Sequence, residues 1–262
     1  MGDTLDPQSS STPEERELQT KRAALAAIEG DIADRELDLA TLRGELSAFE
    51  ARYLRVVGVL CAELDDLEAQ VAEAELRLRP TDAPLVEAAV RAREKATDSA
   101  NAMGGALAIG ESRFRPSDDL KRLFREIARQ LHPDLSPAAA HRARRTQLMA
   151  DANAAYAAGN LAGLEAILSD WRNSPEAFEG EGIAAELVRT IRRIHKGEDR
   201  LRTIAMELAE LSGSGLFRLS RDVLEAESVG RDLLAEMALR LTSRVAALRD
   251  RLDQTASDRT GR

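Results

Sequence analysis

The sequence predicts an all-α fold, elongated and built from helical coiled-coil hairpins that flank a small helical unit, and three observations carry that prediction. Apolar residues fill 44% of the 262 positions while aromatics fill only 3%, too few for one thick globular core. Charged residues reach 32%, enough to clothe long solvated helices. The apolar residues, mostly Ala and Leu, recur at steps of three and four, which places them on one face of a helix.

In chain order, residues 1–11 are a Ser/Asp/Gly tail read as disordered. Thr12-Pro13-Glu14-Glu15 then sets a capping hydroxyl, a first-turn proline and a returning carboxylate at helix-start spacing. Residues 12–98 read as N-terminal coiled-coil helices. Their seam is Leu25, Ile28, Ile32, Leu39, Leu42, Leu46, Phe49, Tyr53, Val56 and Leu60, with Arg35 interrupting one core position. The continuation through Leu60, Leu64, Leu67 and Val71 inserts an extra four-residue step, a stutter that locally unwinds a supercoil. Pro80 ends this rod-like helix, and after the Pro80 to Pro84 turn a shorter periodic stretch from Leu85 to about Lys95 can fold back on it. Gly, Ala and Ser dominate 99–116, read as a linker.

Residues 117–171 form the unit that carries chemistry. Ser117-Asp118-Asp119 gives a capping hydroxyl and two acids at the positive end of a helix dipole. On the helix that follows, Leu120, Leu123, Phe124, Ile127 and Leu131 gather on one face, while Arg122, Arg125 and Arg129 recur on the other beside Lys121. His132-Pro133-Asp134 comes next; the proline blocks continuation and holds the flanking imidazole and carboxylate outside regular structure. Ser136-Pro137 restarts a helix, and Trp171 anchors the end of the unit. Residues 172–262 read as a second antiparallel helical hairpin with a disordered end. One arm follows Ile183 to Leu211, the break is Ser212-Gly213-Ser214-Gly215, and the other arm follows Val223 to Leu252.

The stretch Leu120 to Asp134, with its basic amphipathic helix and His-Pro-Asp turn, resembles the second helix and signature tripeptide of the J-domain (DnaJ) family. Met149 to Tyr156, with Asn153, Ala155 and Tyr156, resembles that family's third helix, and Met149 and Tyr156 join Leu120, Leu123, Phe124, Ile127 and Leu131 as the core of a J-like unit. No counterpart of the family's first helix is present, which leaves the scaffold helices or the Asn160 to Leu168 segment to complete that core. The glycine/phenylalanine region and zinc-binding module are absent too. The resemblance implies a co-chaperone that stimulates the ATPase of a DnaK-type heat-shock chaperone. His132, Pro133 and Asp134 would engage the chaperone near its interdomain linker, and Lys121, Arg122, Arg125 and Arg129 an acidic surface. Outside that pattern His132 reads as a turn histidine bonded to backbone and Asp134 as a helix cap.

Composition limits the other classes. A net charge of −9 and few stacking aromatics argue against nucleic acid, although Ser117 to Met149 is locally basic with seven Lys/Arg against four Asp/Glu. Cys61 is the sole cysteine beside three scattered histidines, so a paired-cysteine zinc site is excluded and no metal or other cofactor is expected. No phosphate loop, nucleophile elbow or His-Glu-x-x-His motif occurs, so the chain is read as a non-enzyme. No secretory signal or spanning segment is read, so the expectation is a cytoplasmic protein with no membrane partner. The competing function is a coiled-coil scaffold or assembly protein in which the J-like unit only packs. Its seams close either within one chain or by self-association.

Overall fold

A computed structural model describes residues 12–106, 114–135, 139–172 and 182–260, and every regular element among them is helical. The protein is all-α. Helix α1 (Pro13–Tyr53) begins with the expected capping box: the Glu15 amide donates to Thr12 Oγ1 at 3.2 Å and the Thr12 amide to the Glu15 carboxylate at 2.8 Å. A π-helical turn, Leu54–Gly58, links α1 to α2 (Val59–Leu78) without breaking the helix. Then come α3 (Ala83–Ala106), α4 (Asp118–Leu131), a 3₁₀ turn (Pro133–Leu135), α5 (Ala139–Ala157), α6 (Leu161–Arg172), α7 (Ile183–Gly213), α8 (Gly215–Ser228) and α9 (Leu233–Thr260). The tail read over 1–11 and the restart read at Ser136-Pro137 lie outside the described residues.

Chain order does not follow compactness. One unit joins Met1–Gly44 to Phe114–Ser212, and the other joins Glu45–Arg113 to Gly213–Arg262, a division that falls inside α1.

In the first unit, α1 and α7 run parallel and are tied by a ladder of ion pairs. Arg22 meets Glu186 at 2.5 Å, Glu29 meets Arg193 at 2.7 Å, Glu36 meets Arg200 at 2.7 Å and Arg43 meets Glu207 at 2.7 Å, every pair 164 residues apart in sequence. Successive rungs are one heptad apart, so each helix shows the same face at every rung. Between them Leu25 and Ile32 are buried with Ile28, Ile194 and Leu201. The signs along α1, plus-minus-minus-plus, mirror those along α7, and a slide of one heptad either way would set Glu against Glu and Arg against Arg. Opposite α7, a second apolar stripe of α1 (Ala33, Leu37 and Ala40) packs on the core formed by α4, α5 and α6.

In the second unit α3 folds back antiparallel on α2. Arg93 reaches Asp66 and Glu73, both at 2.8 Å, and further along α3 Lys95 pairs with Asp65 at 2.8 Å. The stretch read as linker from residue 99 is helical to Ala106, because its small residues let α3 lie close: Ser99 bonds to the Asp65 carboxylate at 2.5 Å and Met103 is buried. Helix α9 runs parallel to α2, with Arg244 on Glu68 at 3.3 Å and Arg251 on Glu75 at 2.5 Å, one heptad on. Leu64, Leu67 and Val245 close the seam between them.

These pairings correct the hairpin expected over 172–262. Its two arms belong to different units and each packs in parallel on the N-terminal helices, whose long seam needs cover along its length. The end read as disordered is helical to Thr260. The seam itself also shifts. Val56 is 37% exposed while Val57 is 1% exposed, and Val57 and Cys61 line the core in place of Val56 and Leu60. The π turn, closed by the Val59 amide on the Leu54 carbonyl, absorbs the extra residue one turn before the stutter was read.

Candidate functional site

Helix α4 starts where its sequence says it should. Ser117 Oγ accepts from the Leu120 amide at 3.2 Å, and Asp118 and Asp119 occupy the first turn. Leu120, Phe124, Ile127 and Leu131 are buried to 2% exposure or less, together with Met149 of α5 and Tyr156, and Leu123 is half-buried against the same cluster. Leu164, Leu168 and Trp171 of α6 and the second stripe of α1 complete this core. The core of α4 and α5 is therefore closed from two sides, by α1 and by the segment after Asn160. At the α5 end Gly159 takes φ +66°, a conformation open to glycine, so that the Asn160 amide turns back to the Ala155 carbonyl at 2.8 Å.

Tyr156 is the hinge pin of the packing. Its ring meets Phe124 at 4.7 Å and Phe114 edge-on at 5.6 Å, and its hydroxyl shares a hydrogen bond of 2.8 Å with Thr41 of α1. Phe114 lies on the bare backbone of Gly44, where a methyl group would come within 2.5 Å of its ring. Trp171 is stacked by the Arg145 guanidinium at 4.6 Å, and the same Arg145 donates to the Gln130 carbonyl at 3.2 Å, satisfying the open end of α4.

At that end Pro133 stops the helix and His132 takes an extended backbone, φ −55° and ψ 125°. The His132 ring is buried, its side chain 4% exposed. Nδ1 lies 3.3 Å from the Asp134 amide, which can only donate, so the bonding pattern assigns the ring hydrogen to Nε2, 2.9 Å from Glu36 Oε1. The same carboxylate oxygen receives both Nε and a terminal nitrogen of Arg200, at 2.7 and 2.6 Å. Arg200 reaches on to Glu207 at 3.0 Å, and Arg43 closes the chain on Glu207. Burial alone would push the Glu36 carboxyl up, but the bond from His132 and the Arg200 charge outweigh it and hold it below its ordinary value. A continuous relay thus runs from the tripeptide through α1 to α7.

The other expected site residues are more open. Asp134 is half-exposed, facing a cleft of about 330 Å³ that is also lined by Arg142, Lys196, Asp199 and Arg200. Arg122 is 77% exposed with an intrahelical pair to Asp119 at 3.0 Å, Arg129 is exposed, and Lys121 and Pro133 are half-buried. Arg125 is different, since it bonds Asp34 of α1 at 2.5 Å. The basic face expected to be open is therefore met at one arginine by an acid of its own chain.

Sequence reasoning missed Glu36 and Arg200. The seam was read as interrupted at Arg35, yet Arg35 is exposed and pairs with Asp38 of its own helix. A signal was available: Ala33, Leu37 and Ala40 form a second stripe at helical spacing that brackets Glu36, so a charge there had to lie between two buried faces. Among the described residues no cluster of His, Cys, Asp or Glu could hold a metal ion, and no helix is long and apolar enough to cross a membrane. The Cys61 thiol, half-buried in the second unit, is pushed up by burial and by Asp65, the reverse of nucleophile activation. No family model, curated protein or solved structure matches the chain.

Proposed function

We propose that the protein is a cytoplasmic co-chaperone of the J-domain type, which docks a DnaK-type heat-shock chaperone through α4 and the Asp134 turn and stimulates its ATPase. The observation that carries this reading is the one-sided packing of α4. On its apolar face Leu120, Phe124, Ile127 and Leu131 are buried and Leu123 half-buried, while Arg122 and Arg129 stay in solvent, directly before a proline-fixed turn that presents a half-exposed carboxylate. Arginine forks suit a carboxylate-rich partner, and a small charged patch of this kind steers transient encounters more than it supplies affinity.

The test is the steady-state ATP hydrolysis rate of the host's DnaK-type chaperone with the full-length protein added. Stimulation is expected, with loss on Asp134→Asn and a large reduction on Arg122→Glu. Arg122 is the cleaner charge reversal, because Arg125→Glu would also set a carboxylate against Asp34. No stimulation by the wild type at any concentration would sink the proposal. A second reading, a scaffold in which the tripeptide only packs, is favoured by the burial of His132 on Glu36. On that reading Asp134→Asn changes neither ATPase rate nor fold.

A further inference from the structure

The three residues that would face a chaperone are not equally available, and the difference has one source. Asp134 and Pro133 are half-open, while His132 is enclosed, and its ring nitrogen Nε2 is capped by a charged side chain of α1. Glu36 is itself held from the far side by Arg200 of α7, so the imidazole is covered by a carboxylate that the α1–α7 pair keeps in place. A second contact closes the same face, Asp34 on Arg125. Glu36 is also a rung of the heptad ladder, so a slide of α7 by one heptad would set it against Arg193 or Glu207 in place of Arg200.

From these contacts we infer that the parallel α1–α7 pair is an autoinhibitory clamp on the His-Pro-Asp turn. With α7 in register, Glu36 ties His132 down and Asp34 occupies Arg125. When α7 shifts or leaves, Glu36 loses the guanidinium that orients it and the turn is freed. The regulatory meaning of the clamp rests on the co-chaperone reading above, but its physical existence does not, and the two are separable by experiment.

The clamp is read by chemical modification of the full-length protein with diethyl pyrocarbonate, followed by peptide mass spectrometry. His195, whose side chain is 74% exposed, serves as the internal reference. Wild-type His132 is expected to react at least tenfold more slowly than His195. Glu36→Ala should raise the His132 rate tenfold or more while the amides of α4 and α6 remain protected from hydrogen exchange, lowered uniformly by no more than the loss of global stability. Equal protection of His132 in wild type and variant overturns the clamp. Should Glu36→Ala lose amide protection across the first unit, Arg200→Gln, which removes the guanidinium that orients Glu36 and leaves α1 unchanged, decides by the same criterion. Asp34 is 62% exposed, and Asp34→Ala removes the second contact without leaving a buried group unpaired. In the ATPase assay both the Glu36 variant and Asp34→Ala should stimulate the chaperone severalfold more than wild type, and adding Asp134→Asn should abolish the gain. Faster His132 modification with a flat ATPase response in every variant keeps the clamp as geometry and overturns both its regulatory use and the co-chaperone reading.

Discussion

Glu29 and Glu36 stand one heptad apart on α1, face the same helix and meet the same kind of partner, yet their carboxyls are displaced in opposite directions. Burial pushes Glu29 above its ordinary value, and the pull of Arg193 does not offset it. Glu36 is the more enclosed of the two, 6% exposed at the side chain against 20%, and still lies below its ordinary value. The difference is the number of bonded donors. Among the described residues Glu29 is hydrogen-bonded by Arg193, with Arg129 and Arg145 acting on it through charge alone, whereas Glu36 has an arginine in a two-nitrogen grip and the His132 imidazole. A buried carboxylate is tolerable when its lone pairs are filled and strained when they are not. The tripeptide is therefore part of what makes the Glu36 rung sound, and the rung is part of what makes the tripeptide rigid.

The largest test of that contrast is truncation. Glu36→Ala should destabilise the first unit by about 1–3 kcal/mol, because it leaves the buried His132 imidazole without its acceptor, while Arg200, one-fifth exposed, keeps Glu207. Glu29→Ala should cost about 1 kcal/mol or less, the pair being partly in water. Urea unfolding followed by circular dichroism measures both, and equal losses would erase the distinction between the rungs.

Acid titration sharpens it next. Glu36 is depressed in the fold, so its contribution is present above the unfolded value near 4.5 and lost as pH falls through its folded value. Glu29 is raised, so its penalty is present at neutral pH and relieved as pH falls through its folded value, above 4.5. Stability measured between about pH 7 and pH 3 should therefore fall less steeply on the acid side in Glu36→Gln and more steeply in Glu29→Gln. The same change in both variants would contradict the two directions.

The smallest effect belongs to the outermost rung, where both side chains are largely in solvent: 56% exposed for Arg22 and 41% for Glu186. Arg22→Glu should cost about half a kcal/mol, and adding Glu186→Arg should restore it, a coupling a double-mutant cycle can resolve. Failure of the second change to restore stability would mean that this rung does not help set register.

What the sequence made legible was local. The Thr12–Glu15 box, the Ser117 cap and the two faces of α4 depend on residues within one or two turns, and each stands where it was read. Partners were not legible in the same way. A seam such as Leu25, Ile28 and Ile32 shows that a face is buried without naming what buries it, and here the answer lay 164 residues away on α7. For the tripeptide, a turn histidine and a contact histidine look identical until the side chain above it is known. That side chain, Glu36, was passed over because a charge on a seam reads as a break, whereas this one lies between two seams.

The π turn at Leu54–Gly58 has a consequence for how this chain can change length. Leu46, Phe49, Tyr53, Val57, Cys61 and Leu64 are spaced 3, 4, 4, 4 and 3, one residue more than an unbroken alternation of three and four would need. The surplus residue has been accepted by widening a single turn, so everything downstream kept its face. Loss of one residue from this turn would restore an uninterrupted heptad from Leu46 to Leu64. Loss of one residue anywhere else between them would rotate Leu64 and Leu67 by about 100° away from α9. The helix thus carries one turn, Leu54–Gly58, where the loss of a residue would leave the faces on either side in line.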